Sequence, residues 1–450
     1  MSHMENEKKQ TFHVQSRRDF MKQSSLLAGG ILAMPVVSQA NYFSGARDTI
    51  KIALVGCGGR GTGAATQALS TKENVELVAM ADAFADRLNN SYNNIREALG
   101  ESGRADRVKV KEENKFIGFD GYKKAIALAD VVILATPPGF RPIHFEEAVK
   151  QGKHIFMEKP VATDPAGIKK VLEAAETAKA KKLNVVVGLQ RHYQNSYREL
   201  YKRLQDGMIG DVLSMQVWWN QGALWVRPRK PEYTEMEYQM RNWYYFNWLC
   251  GDHIVEQHIH NIDVGNWFMG ATPVTAVGMG GRAVRTGKEF GEIFDHHYVE
   301  YRYDNGVVMN SQCRHWKDSA SRVDEEIVGT KGRIICDKGL IQDHKGSTLY
   351  QFDRKQENNP YQTEHDELFA AIAKGEYKFQ DAERGAQATL SSIIGRMATY
   401  SGQIIPWDKA LNSGISLQPE KYAFDAPPPV LPDADGFYAY AKPGTTKYFS

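Results

Sequence analysis

Apolar residues are distributed in two textures along this chain. Between residues 50 and 188 they come in short, nearly unbroken runs at 52–55, 75–81, 130–135, 154–157 and 185–188. Amphipathic stretches at 85–100, 144–151 and 164–181 lie between them. Runs that are apolar on both faces, alternating with helices, predict a parallel sheet covered on both sides. From residue 212 the runs at 212–220, 274–279, 298–303, 307–312 and 323–328 include several that alternate apolar with polar residues. That period predicts an antiparallel sheet with one covered face. Residues 361–373 and 381–399 read as two closing helices, and beyond Gly402 the chain becomes a proline-rich tail with Pro427, Pro428 and Pro429.

The first run stops at Gly56, Gly58 and Gly61, the spacing G-x-G-x-x-G. The first glycine permits a tight turn, the second lets backbone approach a pyrophosphate, and the third lets the next helix pack on the strand. That helix is expected to start near Gly63, its free amides facing the phosphates. Alone, such a turn also closes ordinary βα units. Here the second run ends in Asp82, 21 residues past Gly61, where an acid that bonds ribose hydroxyls is expected. The combination predicts a dinucleotide-binding Rossmann domain, with NAD favoured because a 2′-phosphate would face the Asp82 carboxylate. The fold class is therefore α/β, an N-terminal Rossmann domain with a doubly wound parallel sheet plus a C-terminal α+β domain with a large, open, mainly antiparallel sheet. The expected division is 48–188 for the cofactor, 189–402 for substrate and oligomerisation, and 403–450 for the tail. Such a tail wraps a surface or a neighbouring subunit, and a homo-oligomer is expected.

Composition narrows the function. The 450 residues are 42% hydrophobic and 24% charged with a formal net charge of +2, and no basic stripe is present, which argues against a nucleic-acid partner. The N-terminus carries Ser16-Arg17-Arg18-Asp19-Phe20-Met21-Lys22, then 12 apolar residues at 26–37 and the small residues Ser38 and Ala40. This layout is that of a twin-arginine signal peptide over residues 1–40, implying export to the periplasm. The apolar run falls short of the roughly 20 residues a membrane span requires, so no transmembrane span is expected. Cys57, Cys250, Cys313 and Cys336 stand singly without C-x-x-C spacing. Free thiols are expected, because twin-arginine substrates fold before export in a reducing compartment.

Further motifs follow in order: Ala135-Thr136-Pro137, then Gly152 to Pro160 reading GKHIFMEKP, and later His260-x-x-Asp263. With the glycine turn and Asp82 they resemble the glucose-fructose oxidoreductase and inositol dehydrogenase family (Gfo/Idh/MocA), from Ile50 to about Gly402. The resemblance implies that Lys159 stands beside the nicotinamide and the substrate hydroxyl. It assigns cofactor contacts to Gly56, Gly58, Gly59, Arg60 and Gly61 in the turn, and to Asp82, Thr136, Pro137, Glu158 and Lys159 beyond it. Relatives that use NADP have basic residues in the turn, so Arg60 leaves NADP possible. Pro138 and Arg141 depart from the asparagine and histidine of the family pattern. A desolvated ammonium near a positive nicotinamide has its pKa pushed down, which suits Lys159 to proton exchange with an alcohol.

The densest segment, residues 242–267, places Asp252, Glu256, His260 and Asp263 at spacings of 4, 4 and 3, on one side of a continuous helix. His253 falls near that face. The resemblance matches Glu256, His260 and Asp263 to the family's Asp-x-Gly-x-His-x-x-Asp, with Glu256 and His258 as departures. His260, with an ordinary pKa near ~6.5, suits a general base, and Glu256 suits its orientation or a sugar hydroxyl. These groups could equally be helix-surface charges or a hydrogen-bonded core histidine. No metal is expected, because H-E-x-x-H is absent. Arg191 and His192 lie where family members contact substrate or nicotinamide. Arg241, Asn242, His253 and Asp263 complete the expected substrate contacts, and the neighbouring tryptophans suit a sugar ring. The expectation is an exported NAD(P)-dependent oxidoreductase of a sugar or glycoside with tightly held cofactor. Some family members instead cleave glycosides through transient oxidation, elimination, water addition and re-reduction, and that alternative stays open.

Overall fold

The computed structural model describes residues 49–449; the twin-arginine segment lies outside them. Six parallel strands, β1 (Ile50–Val55), β2 (Val75–Asp82), β3 (Lys115–Ile117), β4 (Val131–Leu134), β5 (His154–Met157) and β6 (Val185–Val187), form a sheet ordered β3-β2-β1-β4-β5-β6. Ile52, Leu54, Val131 and Ile133 pack on one face with Leu368 and Phe369, and Ala53, Val55, Val132 and Leu134 pack on the other with Phe145 and Ile168. Both faces are dry over β1, β2, β4, β5 and β6, which is why these strands read as unbroken apolar runs, whereas the edge strand β3 is partly exposed and carries no such run. The order reverses between β1 and β4, and the crevice beyond the carboxyl ends at that point is where ligands of such sheets bind.

The second sheet has nine strands: β7 (Val212–Gln221), β8 (Thr275–Gly281), β9 (His296–Arg302), β10 (Val308–His315), β11 (Arg322–Gly329), β12 (Gly332–Ile335), β13 (Leu340–Asp343), β14 (Thr348–Gln351) and β15 (Ile405–Pro406). Their order is β14-β13-β12-β11-β7-β10-β9-β8-β15, antiparallel throughout except for the parallel pair β7 and β10. Met215, Val217, Val299, Tyr301 and Met309 cover one face together with residues of helices Ile259–Met269 and Asp381–Ser401. Met279 and Tyr298 are exposed, as expected for a sheet with one open face. The four cysteines are buried and free.

Two departures from the expected elements bear on function, and the tail takes one of its two expected courses. The helix after the glycine turn begins at Gly59, not near Gly63, so the motif supplies the first helical turn itself. The stretch Asp252 to Asp263 is not one helix: a short helix His253–Glu256 ends at Gln257, and a second runs Ile259–Met269. The reversal starts upstream, where Gly251 and Asp252 adopt φ of 78° and 71°. The tail, finally, packs back on the protein. Leu417 N donates to Asp164 Oδ2 at 2.8 Å, and Phe424 lies 5.4 Å from Phe84 and 4.9 Å from Phe119, ring centre to ring centre.

Candidate active site

A cavity of about 560 Å³ opens at the reversal point, lined on one side by the ends of β1, β2, β4 and β5 and on the other by the start of the second half of the chain. The glycine turn forms its floor. Gly56 has φ +98°, and a Cβ there would come within 2.3 Å of Thr136 N. A Cβ on Gly61 would lie 2.0 Å from Gly56 O, so this glycine permits close helix packing and lies behind the wall. At Gly58 and Gly59 an added Cβ would meet nothing within 4 Å. Those two backbones face open cavity at an uncapped helix N-terminus with no acid in its first turn, an environment suited to a pyrophosphate. Arg141, buried in the same wall, donates to Thr136 O at 2.6 Å, while its Nε and Nη1 have no partner among the described residues. The residues present therefore fit a dinucleotide.

Asp82 is clamped by backbone. Cys57 N donates to Oδ2 at 2.7 Å and Phe84 N to Oδ1 at 2.9 Å. Burial pushes its pKa up and the two amides pull it back. Arg60 lines the cavity, but its guanidinium is already engaged. Nε donates to Glu158 Oε1 at 2.5 Å, Nη1 donates to Gln67 Oε1 at 3.1 Å, and Tyr361 lies beneath the group at 5.0 Å. Glu364, fully buried beside it, is held well above the usual carboxylate range by burial and then by the Glu158 charge. Thr136 and Pro137 also line the wall.

Lys159, Glu256 and His260 converge at the other end. Lys159 Nζ donates to Glu256 O and, at 3.2 Å, to Glu256 Oε1. His260 lines the same wall, its ring stacked on Trp219 at 5.9 Å and 23°. Burial, and then the Lys159 charge, push its pKa well below the ordinary histidine value. The imidazole is therefore neutral at physiological pH, with acceptor capacity on the ring. An apolar wall, a fixed ammonium and a neutral imidazole can together hold a hydroxyl and move its proton.

Other expected substrate contacts lie elsewhere, and the broken helix is the reason for several. Asp252 does not share the face of Glu256. It caps the short helix, and Phe294 N and Tyr400 Oη donate to its Oδ2 at 2.9 and 2.5 Å. His253 is fully buried, its Nδ1 2.8 Å from Asp252 Oδ1 and its ring 4.4 Å from that of His315. Asp252, His253 and His297 offer ligand atoms within 4.8 Å of one another, but both carboxylate oxygens already accept protein donors and Arg285 Nη1 stands 3.5 Å from His253 Nδ1. Asp263 bonds His192 Nε2 at 2.8 Å, with the His192 ring packed at a tilt against Trp267, and neither His192 nor Asp263 lines the cavity. Arg191 is paired with buried Glu325, whose pKa burial pushes up to about 7 even beside the guanidinium. Asn242 is buried and pins the loop before it, accepting from Arg227 N at 2.9 Å. Arg241 does line the cavity, with its guanidinium on Asp86 at 3.1 Å and over the Phe84 ring at 4.0 Å.

Among the tryptophans, Trp219, Trp225 and Trp243 reach the cavity, while Trp248 is core and Trp218 lies under the Arg322 guanidinium. Gln257 lines the wall beside Glu256 and was not singled out by motif or period. No sequence signal marks it, because it reaches the wall only through the break between the two helices.

The two-sheet architecture and this cavity define a dinucleotide-binding enzyme, and comparison with known proteins gives its class. Residues 50–188 match the oxidoreductase family with NAD-binding Rossmann fold, and residues 197–335 match the GFO/IDH/MocA C-terminal domain. The chain belongs to the Gfo/Idh/MocA family of NAD-binding oxidoreductases. It is 24% identical over 338 residues to an inositol 2-dehydrogenase of Rhizobium meliloti (strain 1021), covering 73% of this chain and 90% of that protein. It is 25% identical over 222 residues to the 2,7-anhydro-N-acetylneuraminate hydratase of Escherichia coli (strain K12), covering 49% and 54%. In fold it is similar to the scyllo-inositol dehydrogenase of Lactobacillus casei with bound NAD(H) and scyllo-inositol, with a TM-score of 0.60, 19% identity, and coverage of 80% and 100%.

Proposed function

We propose that the protein is an exported, NAD-dependent oxidoreductase that oxidises a ring carbinol of a sugar or glycoside and keeps its cofactor through the cycle. The observation that carries this reading is one cavity lined both by Gly58, Gly59 and Asp82 and by Lys159, Glu256 and His260. NAD, when bound, accepts the hydride that leaves the carbinol carbon. The chain's own residues do the rest. Gly58 and Gly59 leave backbone room for the pyrophosphate, and Asp82 takes the ribose hydroxyls. Lys159, held by Glu256, donates to the substrate hydroxyl, and neutral His260 takes its proton. Arg60 is committed to Glu158 and Gln67, which supports NAD over NADP. The relatives that bear inositol dehydrogenase names support a polyol or sugar as substrate. The twin-arginine pattern supports periplasmic export, where a carried cofactor must be reset within the cycle, its hydride passing to the carbonyl of a second sugar, which is reduced as the first is oxidised. Residues 48–188 would serve the cofactor, and 189–402 the substrate and a homo-oligomer.

A relative named as a hydratase favours a second reading, the redox-neutral glycosidase. One experiment separates the two: incubate the purified protein with a panel of glycosides and analyse for both keto-sugar and released sugar. Accumulating keto-glycoside supports the dehydrogenase. Released sugar without net change in nicotinamide absorbance supports the glycosidase, and neither product with any glycoside would overturn both.

A further inference from the structure

Two chains of hydrogen bonds converge on one oxygen at the His260 end of the cavity, and both start at groups that can only donate. On one side Arg285 Nη2 donates to His315 Nδ1 at 2.8 Å. A guanidinium has no acceptor, so Nδ1 carries the lone pair and the neutral ring holds its proton on Nε2. That Nε2 lies 2.8 Å from Gln257 Oε1 and donates to it. Burial, the nearby His253 and then Arg285 push the His315 pKa well down, in accord with a neutral ring. On the other side the Trp219 indole, a donor only, donates to Gln221 Oε1 at 2.9 Å. The Gln221 amide is thereby oriented with Nε2 toward Gln257 Oε1, at 3.1 Å.

Oxygen and nitrogen of a glutamine amide are ordinarily hard to tell apart, but here chemistry assigns them. Both donors fill the lone pairs of Gln257 Oε1, so its Nε2 must be the end left over. Among the described residues no protein acceptor takes the Nε2 protons, and that nitrogen is not sealed in the interior. Gln257 lines the cavity together with Glu256 and Trp219. The break at Gln257 delivers the side chain there, since its backbone leaves the short helix at φ −110° and ψ −50°. The relay is rigid, because Arg285 is itself buried and held by Phe294 O at 2.5 Å.

We infer that Gln257 is a specificity-determining residue, whose amide N–H, polarised and fixed by the Arg285–His315 and Trp219–Gln221 relays, donates to an acceptor oxygen of the carbohydrate beside the reacting carbinol. The inference rests on the oxidoreductase reading of this cavity and adds to it one oriented donor. A substrate oxygen at that position must accept, so a sugar deoxygenated there is discriminated against, whereas a fluorine, which accepts weakly, is tolerated better.

The test uses the full-length protein saturated with NAD, with methyl glycosides of D-glucose and D-galactose and their monodeoxy and deoxyfluoro analogues as probes. Binding is followed by calorimetry and turnover by keto-sugar formation. In the wild type, one deoxy analogue should bind about tenfold more weakly than its parent, the usual worth of one hydrogen bond. Gln257→Met should bind parent and that analogue alike, with NAD affinity kept. Gln257→Glu, which presents an acceptor oxygen to the cavity, should still bind the parent hydroxyl but reject the deoxyfluoro analogue at that position. An unchanged deoxy penalty in Gln257→Met overturns the inference while leaving the oxidoreductase reading intact. Weakened NAD affinity with unchanged sugar affinity also overturns it, since the amide would then serve the cofactor. A wild type that binds none of the glycosides removes both readings.

Discussion

The two ends of the cavity were built by different means. At the Asp82 end, Gly58 and Gly59 act through backbone position, and Asp82 is fixed by two amides within two residues of its own turn or the neighbouring one. Neither the glycine turn nor the Asp82 carboxylate is held in place by a distant side chain. At the His260 end, function depends on which side chains a broken helix releases. Glu256, Gln257 and His260 reach the wall, whereas Asp252, His253 and Asp263 turn inward to partners on β9, residue 192 and the closing helix. A site made of backbone follows from a short local motif. A site made of side chains across a helix break depends on tertiary context, and sequence spacing misplaces its members.

The sharpest way to break this comparison is at the glycines. Gly58→Val puts a side chain into open cavity, so nucleotide binding should fall below detection in calorimetry while stability without nucleotide stays within about 0.5 kcal/mol. Gly56→Ala instead forces a Cβ to 2.3 Å from Thr136 N at a positive φ, and a loss of more than about 4 kcal/mol is expected. Equal stability losses in the two variants would show that the turn is structural at both positions.

Arg191 tests the other end. Removing its guanidinium leaves Glu325 buried without its cation, and the usual cost of breaking such a pair is about 3–5 kcal/mol. Arg191→Ala should therefore shift the urea midpoint strongly. A variant of wild-type stability whose only defect is a raised sugar KM would return Arg191 to the substrate.

This division also explains how much was legible in the sequence. Five of the six strands of the first sheet could be read because both faces are dry, down to the matching ends of β5 at His154 and Met157, whereas the edge strand β3, three residues long and partly exposed, was missed. β12, β13 and β14 were missed because segments of four residues are too short to carry a periodicity. The parallel pairing of β7 with β10 was hidden because alternation reports a covered face and not the direction of the neighbour. The helix break was hidden for a different reason. Asp252 at φ 71° is a conformation few non-glycine residues adopt, and its cluster of buried partners comes from residues 285 to 400, far along the chain.

Lys159 and His260 give the next effect in size. Replacing either by alanine should lower kcat by on the order of 10²-fold, the scale of acid–base assistance, with nucleotide still bound. Burial and the Lys159 charge hold the His260 pKa well below its ordinary value. The base is competent above that pKa, so kcat/KM should stay flat through pH ~6.5 and fall only at more acid pH. The same depression means the unfolded chain takes up a proton first as pH drops, so this residue's contribution to stability is present above ~6.5 and is lost below it. An acid limb at 6.5 or above that vanishes in His260→Ala would show an imidazole open to water, contrary to the buried site.

The smallest expected effect concerns how the Asp82 end is kept closed. Phe84 and Phe119 line the cavity there. Phe84 contacts both Arg241, which is anchored on Asp86, and Phe424 of the tail, while Phe119 packs on Phe424 and on Tyr422 at 6.4 Å. The tail thus props the wall without touching the cavity itself. Aromatic pairs of this kind contribute about 0.5–1.5 kcal/mol each beyond buried area, so Phe424→Ala should speed nucleotide release by roughly threefold to tenfold. Release can be timed by exchange of bound nucleotide into excess labelled NAD. Tyr438→Phe is the control. That residue anchors another part of the tail through Glu235 and Arg229 and lies away from the cavity wall, so its loss of hydrogen bonds loosens the tail without unpropping Phe84. Faster release in Phe424→Ala but not in Tyr438→Phe places retention at the aromatic prop. Equal acceleration in both would mean that general loosening of the tail, and not the contact with Phe84 and Phe119, sets the rate. No change in either would mean that the wall at this end holds the nucleotide without the tail.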